Sequence, residues 1–197
     1  MTPTAPDPAE VAAAIGPPLG PRLDEGDATL RAYRVPGCPT GMIWRVYDPG
    51  PHHPMQVYVG RWPDGSLRVV SDDLSGFLEL VEHTGVHLED EETALGYVRA
   101  LLEVTRAPSV LIREISNLDD IPWRPGTDAE EDRRRAFEDT AAVAPPSVVR
   151  TGDGFVVELS LVVDQRIQRN RFEVAPQGAV AASFEVLAED LPLPIAR

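Results

Sequence analysis

The side chains best equipped for chemistry in this chain are its histidines, its one cysteine, its paired aspartates and its arginines. The four histidines fall as His52–His53 and His83 with His87. A separation of four residues puts two ligands on one face of a helix. Glu79, Glu82 and Glu89 are close enough in sequence to add a carboxylate to a metal shell. Gly85 falls between His83 and His87, however, and HTGVH is not the HExxH of zinc proteases. The expectation is an exposed helix end, with no metal and no cofactor. His52 and His53 lie among prolines and a glycine. An imidazole in such a loop titrates near neutrality and can act as a general acid or base.

Cys38 sits in the turn cluster PGCPTG. A thiol becomes a nucleophile only beside a base or a positive field, and no cysteine-enzyme signature surrounds this one. Asp72–Asp73 and Asp119–Asp120 are carboxylate pairs that could share a proton or a metal. Each precedes a helix or loop, where aspartate more often caps or turns the chain. Arg169 and Arg171 share a strand face with Glu173, and Arg166 lies opposite in that reading. Two guanidinium forks on a concave face would hold a carboxylate or phosphate; on an outer face they keep the strand wetted. Trp62 and Trp123 sit beside prolines in turn-like contexts. Exposed aromatics there would mark a ligand or partner surface.

Composition removes much chemistry. All 18 basic residues are arginine, against 32 acidic ones, for a net charge of −14. Without lysine there is no Schiff base, no phosphate-loop lysine and no kinase-type strand lysine. The acidity repels nucleic-acid backbones and anionic lipid surfaces, and suits a basic partner or simple solubility. A single cysteine excludes an intrachain disulfide and fits a cytoplasmic setting. The first residues, MTPTAPDPAEVAAAIGPP, lack the charged start and apolar core of a signal peptide. No apolar run is long enough for a membrane span.

The elements that must carry these residues follow from periodicity. Residues 1–28 read as a partly mobile arm with one short helix from Pro8 to Gly16. Strands follow at TLRAYRV, MIWRVY, MQVYVGR and SLRVV, joined by Pro/Gly turns. Two helices come next, one ended by Gly85 and one capped by Asp90. SVLIREI is a strand, and DAEEDRRRAFEDTAA is a charged helix with Asp128 as its cap. The end is a run of strands, FVVELSLVV, RIQRNRFEV and AVAASFEVLAED. In these, Phe155, Val157, Leu159, Leu161 and Val163 share one face, as do Val180, Ala182, Phe184 and Val186.

Strands segregated from helices predict an α+β fold. The expected form is a curved antiparallel sheet with helices on one face, similar in topology to cystatin-like or NTF2-like folds. One domain would span 29–197, with sub-lobes at 29–115 and 128–190. Such topologies host enzymes and binding modules alike. The leading expectation is a non-catalytic binding or accessory protein. It would present Trp62, Trp123, Arg169 and Arg171 to a protein, peptide or small molecule. The alternative is a cofactor-independent cyclase, isomerase or lyase of bacterial specialised metabolism. Its pocket would lie in the sheet concavity, with His52, His53, Asp72, Tyr58 and Arg169 as acid, base and anion clamp.

Overall fold

The computed structural model describes residues 5–38, 42–50, 54–140 and 143–194. The chain divides into two compact units, Met1–Pro108 with Pro176–Ala179, and Ser109–Ala175 with Val180–Arg197. Each is α+β and each contains one antiparallel sheet. Two sheets therefore stand where one curved sheet was expected. Among the described residues no helix is long and apolar enough to cross a membrane.

The first unit is built on a meander of β1 (Thr29–Tyr33), β2 (Ile43–Asp48), β3 (Met55–Arg61) and β4 (Leu67–Val69), in that order. Alternation gives the sheet two working faces. Leu30, Val46, Val57, Val59 and Val69 point one way, where α1 (Pro8–Ile15) and α2 (Leu19–Asp24) cover them with Val11, Ala12, Leu19 and Leu23. Asp7 caps α1, accepting from the Ala9 amide at 3.0 Å, and Pro8 opens it. Residues 8–24 thus supply helices whose leucines and valine cover one sheet face.

The opposite face carries Tyr33, Arg45, Tyr58 and Gly60, and meets α3 (Leu74–Thr84) and α4 (Glu91–Thr105). Asp73 caps α3 through the Gly76 amide at 2.9 Å, and Asp90 caps α4 through the Thr93 amide at 2.8 Å. Gly85 ends α3 in the left-handed conformation, as its position in the sequence predicts. Helices on both faces, not one, follow from the apolar residues found on both sides of β3: neither side can be left wet.

A buried ion pair fastens α2 to the sheet. Asp48 is almost wholly buried and accepts from Arg22 Nε, from Arg22 Nη2 at 3.2 Å and from the Gly50 amide at 2.9 Å. These bonds hold its carboxyl below the usual aspartate range and raise the arginine. The turn Pro176–Ala179 also belongs to this unit. The Tyr97 hydroxyl donates to the Gly178 carbonyl at 2.7 Å, and the Leu88 amide to the Pro176 carbonyl at 2.9 Å. Gly178 has φ +88°, and a Cβ there would come within 2.6 Å of Val86 and 2.8 Å of Val81. Only glycine satisfies both demands.

The second unit is a sheet ordered β5–β7–β8–β9, with β6 also paired to β7. Its strands are β5 (Ile112–Ile115), β6 (Ser147–Thr151), β7 (Gly154–Val163), β8 (Arg166–Val174) and β9 (Val180–Ala188). One end of one face is covered by α5 (Asp128–Thr140), whose Phe137 joins Ile115, Ile121, Val162, Ile167, Leu191 and Leu193 in a core. The helix begins one residue earlier than Asp128 predicts: Thr127 is its cap. Thr127 Oγ1 accepts from the Glu130 amide at 3.3 Å, and Glu130 accepts from the Thr127 amide at 2.7 Å. This reciprocal box uses both orphan donors, which Asp128 alone cannot do. Arg124 completes it, donating to Glu130 at 2.8 Å and to the Leu193 carbonyl at 3.0 Å.

Two outcomes check this packing. Tyr97→Phe leaves the Gly178 carbonyl buried without its donor, and is expected to cost about 1–3 kcal/mol in chemical denaturation. Asp48→Asn is expected to lower the melting temperature at pH 7. The carboxylate of Asp48 is depressed in the folded state, so its stabilisation is complete above about pH 4 and is lost as pH falls through the folded value. The gap between the melting temperatures of the wild type and Asp48→Asn should therefore close towards pH 2, read by thermal unfolding across pH.

Candidate functional site

The residues singled out by sequence do not gather into one site. His52 and His53 lie outside the described residues. Asp72 is an exposed turn residue with φ +60°, and its neighbour Asp73 is spent on the α3 cap. Asp120 likewise accepts from the Ser116 and Asn117 amides at 2.8 and 3.2 Å. His83 is exposed and bonded through Nδ1 to the Glu79 carbonyl at 2.8 Å, while His87 lies beyond the left-handed Gly85. Among the described residues no three His, Cys, Asp or Glu side chains converge as a metal site. Cys38 is buried, and its thiol donates to Thr84 Oγ1 at 3.1 Å.

Tyr58 is the centre of a polar cluster in the first unit. Its hydroxyl donates to Glu103 on α4 and accepts from Gln56 Nε2 at 2.8 Å. Tyr33, edge-on to Tyr58 at 4.9 Å between ring centroids, donates to the same carboxylate at 3.3 Å. Burial, and then Glu103, push both phenols well above their usual range. Tyr58 is thus a fixed neutral donor that ties α4 to the sheet, and a poor base at neutral pH.

The tryptophans are less open than their proline-flanked positions suggest. Trp62 is only 4% exposed. Its Nε1 donates to Glu79 at 3.1 Å, and the Arg68 guanidinium covers its ring at 4.7 Å. The turn after β3 folds back over Gly60, whose missing side chain makes room for the ring. Trp123 packs edge-on to Phe137 at 6.5 Å, under Arg134 at 4.8 Å. Each indole is covered by an arginine from its own unit.

Arg169 and Arg171 do share a face, with Glu173, as alternation predicts. On that face Arg169 meets Glu185 at 3.2 Å, and Arg171 meets Glu158 at 3.1 Å and Glu173 at 3.5 Å. Cross-strand register produces these pairs: Arg171 opposes Glu158, and Arg169 opposes Glu185. They form an exposed charged ladder.

The chemistry missed by sequence reasoning lies on the other face of the same strands. There β8 presents Arg166, Gln168 and Asn170 in succession, and β9 presents Phe184 and Val186 directly opposite Asn170 and Gln168. Phe184 is 64% exposed and Val186 is 40% exposed. β9 is nine residues long and ends the strand order of its sheet. Beside this patch opens a cleft of about 450 Å³, lined by Ser109, Val163, Asp164, Gln165, Arg166, Gln168 and Asp190. Gln168 is 8% exposed and lines the cleft. The Nδ2 of Asn170 is buried without a partner. A buried amide group without a partner is unusual, since native folds satisfy nearly all buried polar groups. The signal available in the sequence was RIQRNR, which places two amides, Gln168 and Asn170, at alternate positions of one strand face.

The comparisons add no relative. The chain matches no protein-family model, no curated protein and no solved structure. The reading of function therefore rests on the geometry of this surface.

Asn170 tests whether the patch is kept at a cost. Replacing its amide by an apolar side chain of similar shape, Asn170→Leu, removes an unpaired buried donor. The substitution is expected to raise unfolding stability by about 1 kcal/mol. A drop of similar size in chemical denaturation would mean that the amide is satisfied in the folded protein.

Proposed function

We propose that the protein is a non-catalytic binding protein that takes an extended segment of a basic partner protein as an added strand on β9. The observation that carries this reading is the outer side of β9. The strand pairs with β8 on one side only among the described residues. Its nine residues, VAASFEVLA, contain no proline, lysine or arginine to obstruct pairing. Native edge strands usually carry such obstacles, and a long edge without them is a template for another chain. Phe184 and Val186 stand two residues apart on one face, so an incoming strand with apolar residues at alternate positions would meet both.

Charge selects the occupant. A second copy of this chain brings a further −14 and repels the first. A basic segment is attracted by the same net charge. The partner's affinity would come from main-chain hydrogen bonds, and its specificity from the apolar pair and the charged face. The alternative of a cofactor-independent enzyme gains nothing from Tyr58, which is held neutral, or from Asp72, which is spent in a turn.

Nine-residue peptides of alternating valine and arginine test this. Titrated into the full chain and followed by amide NMR, they should shift residues 180–188 saturably, and Phe184→Asp should weaken them at least tenfold. Acidic peptides of the same pattern should bind far less. Unmoved β9 amides would overturn the reading. So would a dimer in sedimentation that Phe184→Asp dissolves, because the edge would then belong to a second copy.

A further inference from the structure

We infer that Arg31 and Arg45, neighbours on the first sheet, form a binding site for a dianionic phosphate group. The site lies within the first unit and does not rest on the β9 edge. Arg31 on β1 and Arg45 on β2 are directly opposite each other in the register, so both side chains leave the same face of the sheet. Side chains in such a pair start about 5 Å apart, and like charges placed there weaken the pairing. The chain has 32 acidic residues against 18 arginines, so a carboxylate facing either one would be the ordinary solution.

Among the described residues no ion pair or hydrogen bond ties either guanidinium to a carboxylate. Elsewhere the fold does supply one: Arg68 has Glu79, Arg124 has Glu130, Arg134 has Glu138 and Arg171 has Glu158. Arg31 is exposed, on a strand that pairs with β2 alone, and Arg45 is half-buried. The Arg45 guanidinium lies over the Tyr47 ring, 5.9 Å from its centroid, which restrains it on this face. Glu103 reaches the same face from α4, but its two oxygens accept from the Tyr33 and Tyr58 hydroxyls. Two guanidiniums against one bonded carboxylate leave the face locally positive in a chain of net charge −14.

The donors select the ligand. A guanidinium presents a planar fork of N–H groups and accepts nothing. One fork already satisfies a carboxylate through both of its oxygens, so a second would be left with unused donors. A phosphate group has three free oxygens and a charge near −2, which lets it accept from both forks and cancel both charges. The Tyr47 ring beside Arg45 offers an apolar flank to the organic part of an ester. The overall acidity resists a long polyanion, so the phosphate belongs to a small molecule. Arg169 and Arg171, the pair on which the sequence suggests this chemistry, are answered by glutamates; Arg31 and Arg45 are not.

The test uses the full chain, with the backbone amides of Arg31 and Arg45 and the Tyr47 ring followed by NMR at constant ionic strength. Inorganic phosphate and phenyl phosphate are the probes; acetate and chloride are the controls. These signals should move saturably with the phosphates and not with the controls. Tighter binding of phenyl phosphate assigns the site to an ester, and tighter binding of inorganic phosphate to the free ion. Affinity should rise as pH passes upward through about 6, where a phosphate ester gains its second charge while arginine stays protonated. Arg31→Gln and Arg45→Gln should each weaken phosphate at least tenfold, whereas Arg34→Gln, just beyond β1, should leave binding unchanged. Arg31→Gln should also raise the melting temperature of the ligand-free protein, because it removes a like-charge contact. A fall there would mean that the fold itself answers the charge, and would overturn the assignment. So would linear shifts shared with chloride, or saturation by acetate as tight as that by phosphate.

Discussion

The candidate surface depends on one ladder, the antiparallel pairing of β7, β8 and β9. Its register opposes Leu159 to Asn170 and Asn170 to Phe184, and opposes Leu161 to Gln168 and Gln168 to Val186. Every side chain in the candidate site has its direction set by that pairing. A slip of one residue would exchange the two faces, sending Arg169 and Arg171 to the amide side and Gln168 and Asn170 to the charged side. Such a slip is opposed by the apolar cost of turning Val162 and Ile167 out of the core beneath α5. The cross-strand pairs Arg171–Glu158 and Arg169–Glu185 add only modestly, since exposed ion pairs contribute little.

The same ladder separates two kinds of polar residue that look alike in a sequence. On one face arginines and glutamates neutralise each other in water. On the other, the Nδ2 of Asn170 is taken out of water with no partner, next to exposed apolar side chains. The second arrangement costs stability. Asp48, Tyr58 and Tyr97 are also buried polar groups, but each has its partners within the fold. There polarity fastens α2, α4 and the turn at Gly178 in place.

Much of the local structure was legible in the sequence. The start of α1 at Pro8, the caps Asp73 and Asp90, the stop at Gly85 and the tight turn at Pro63–Gly65 rest on side chains and backbone within a few residues of one another. All are present. The cap of α5 moved by one residue because the reciprocal bond between Thr127 and Glu130 outcompetes a lone aspartate. The tryptophans were misread for a different reason. A turn beside proline suggests exposure, but Trp62 and Trp123 are covered by arginines and by core residues distant in sequence.

The sequence by itself determined the alternation of β7, β8 and β9, the helix stop at Gly85 and the cap at Asp90, the absence of lysine chemistry and the acidic field, because these depend on residue type and on neighbours along the chain. Only tertiary structure decided that β9 is an edge, that apolar residues on both sides of the first sheet call for helices on both, and that Asp164, Asp190 and Gln168 open on one cleft. Alternation reports which side chains share a face. It carries no information on which strand is last in a sheet, or on which faces other elements cover, because those follow from contacts between residues far apart in the chain.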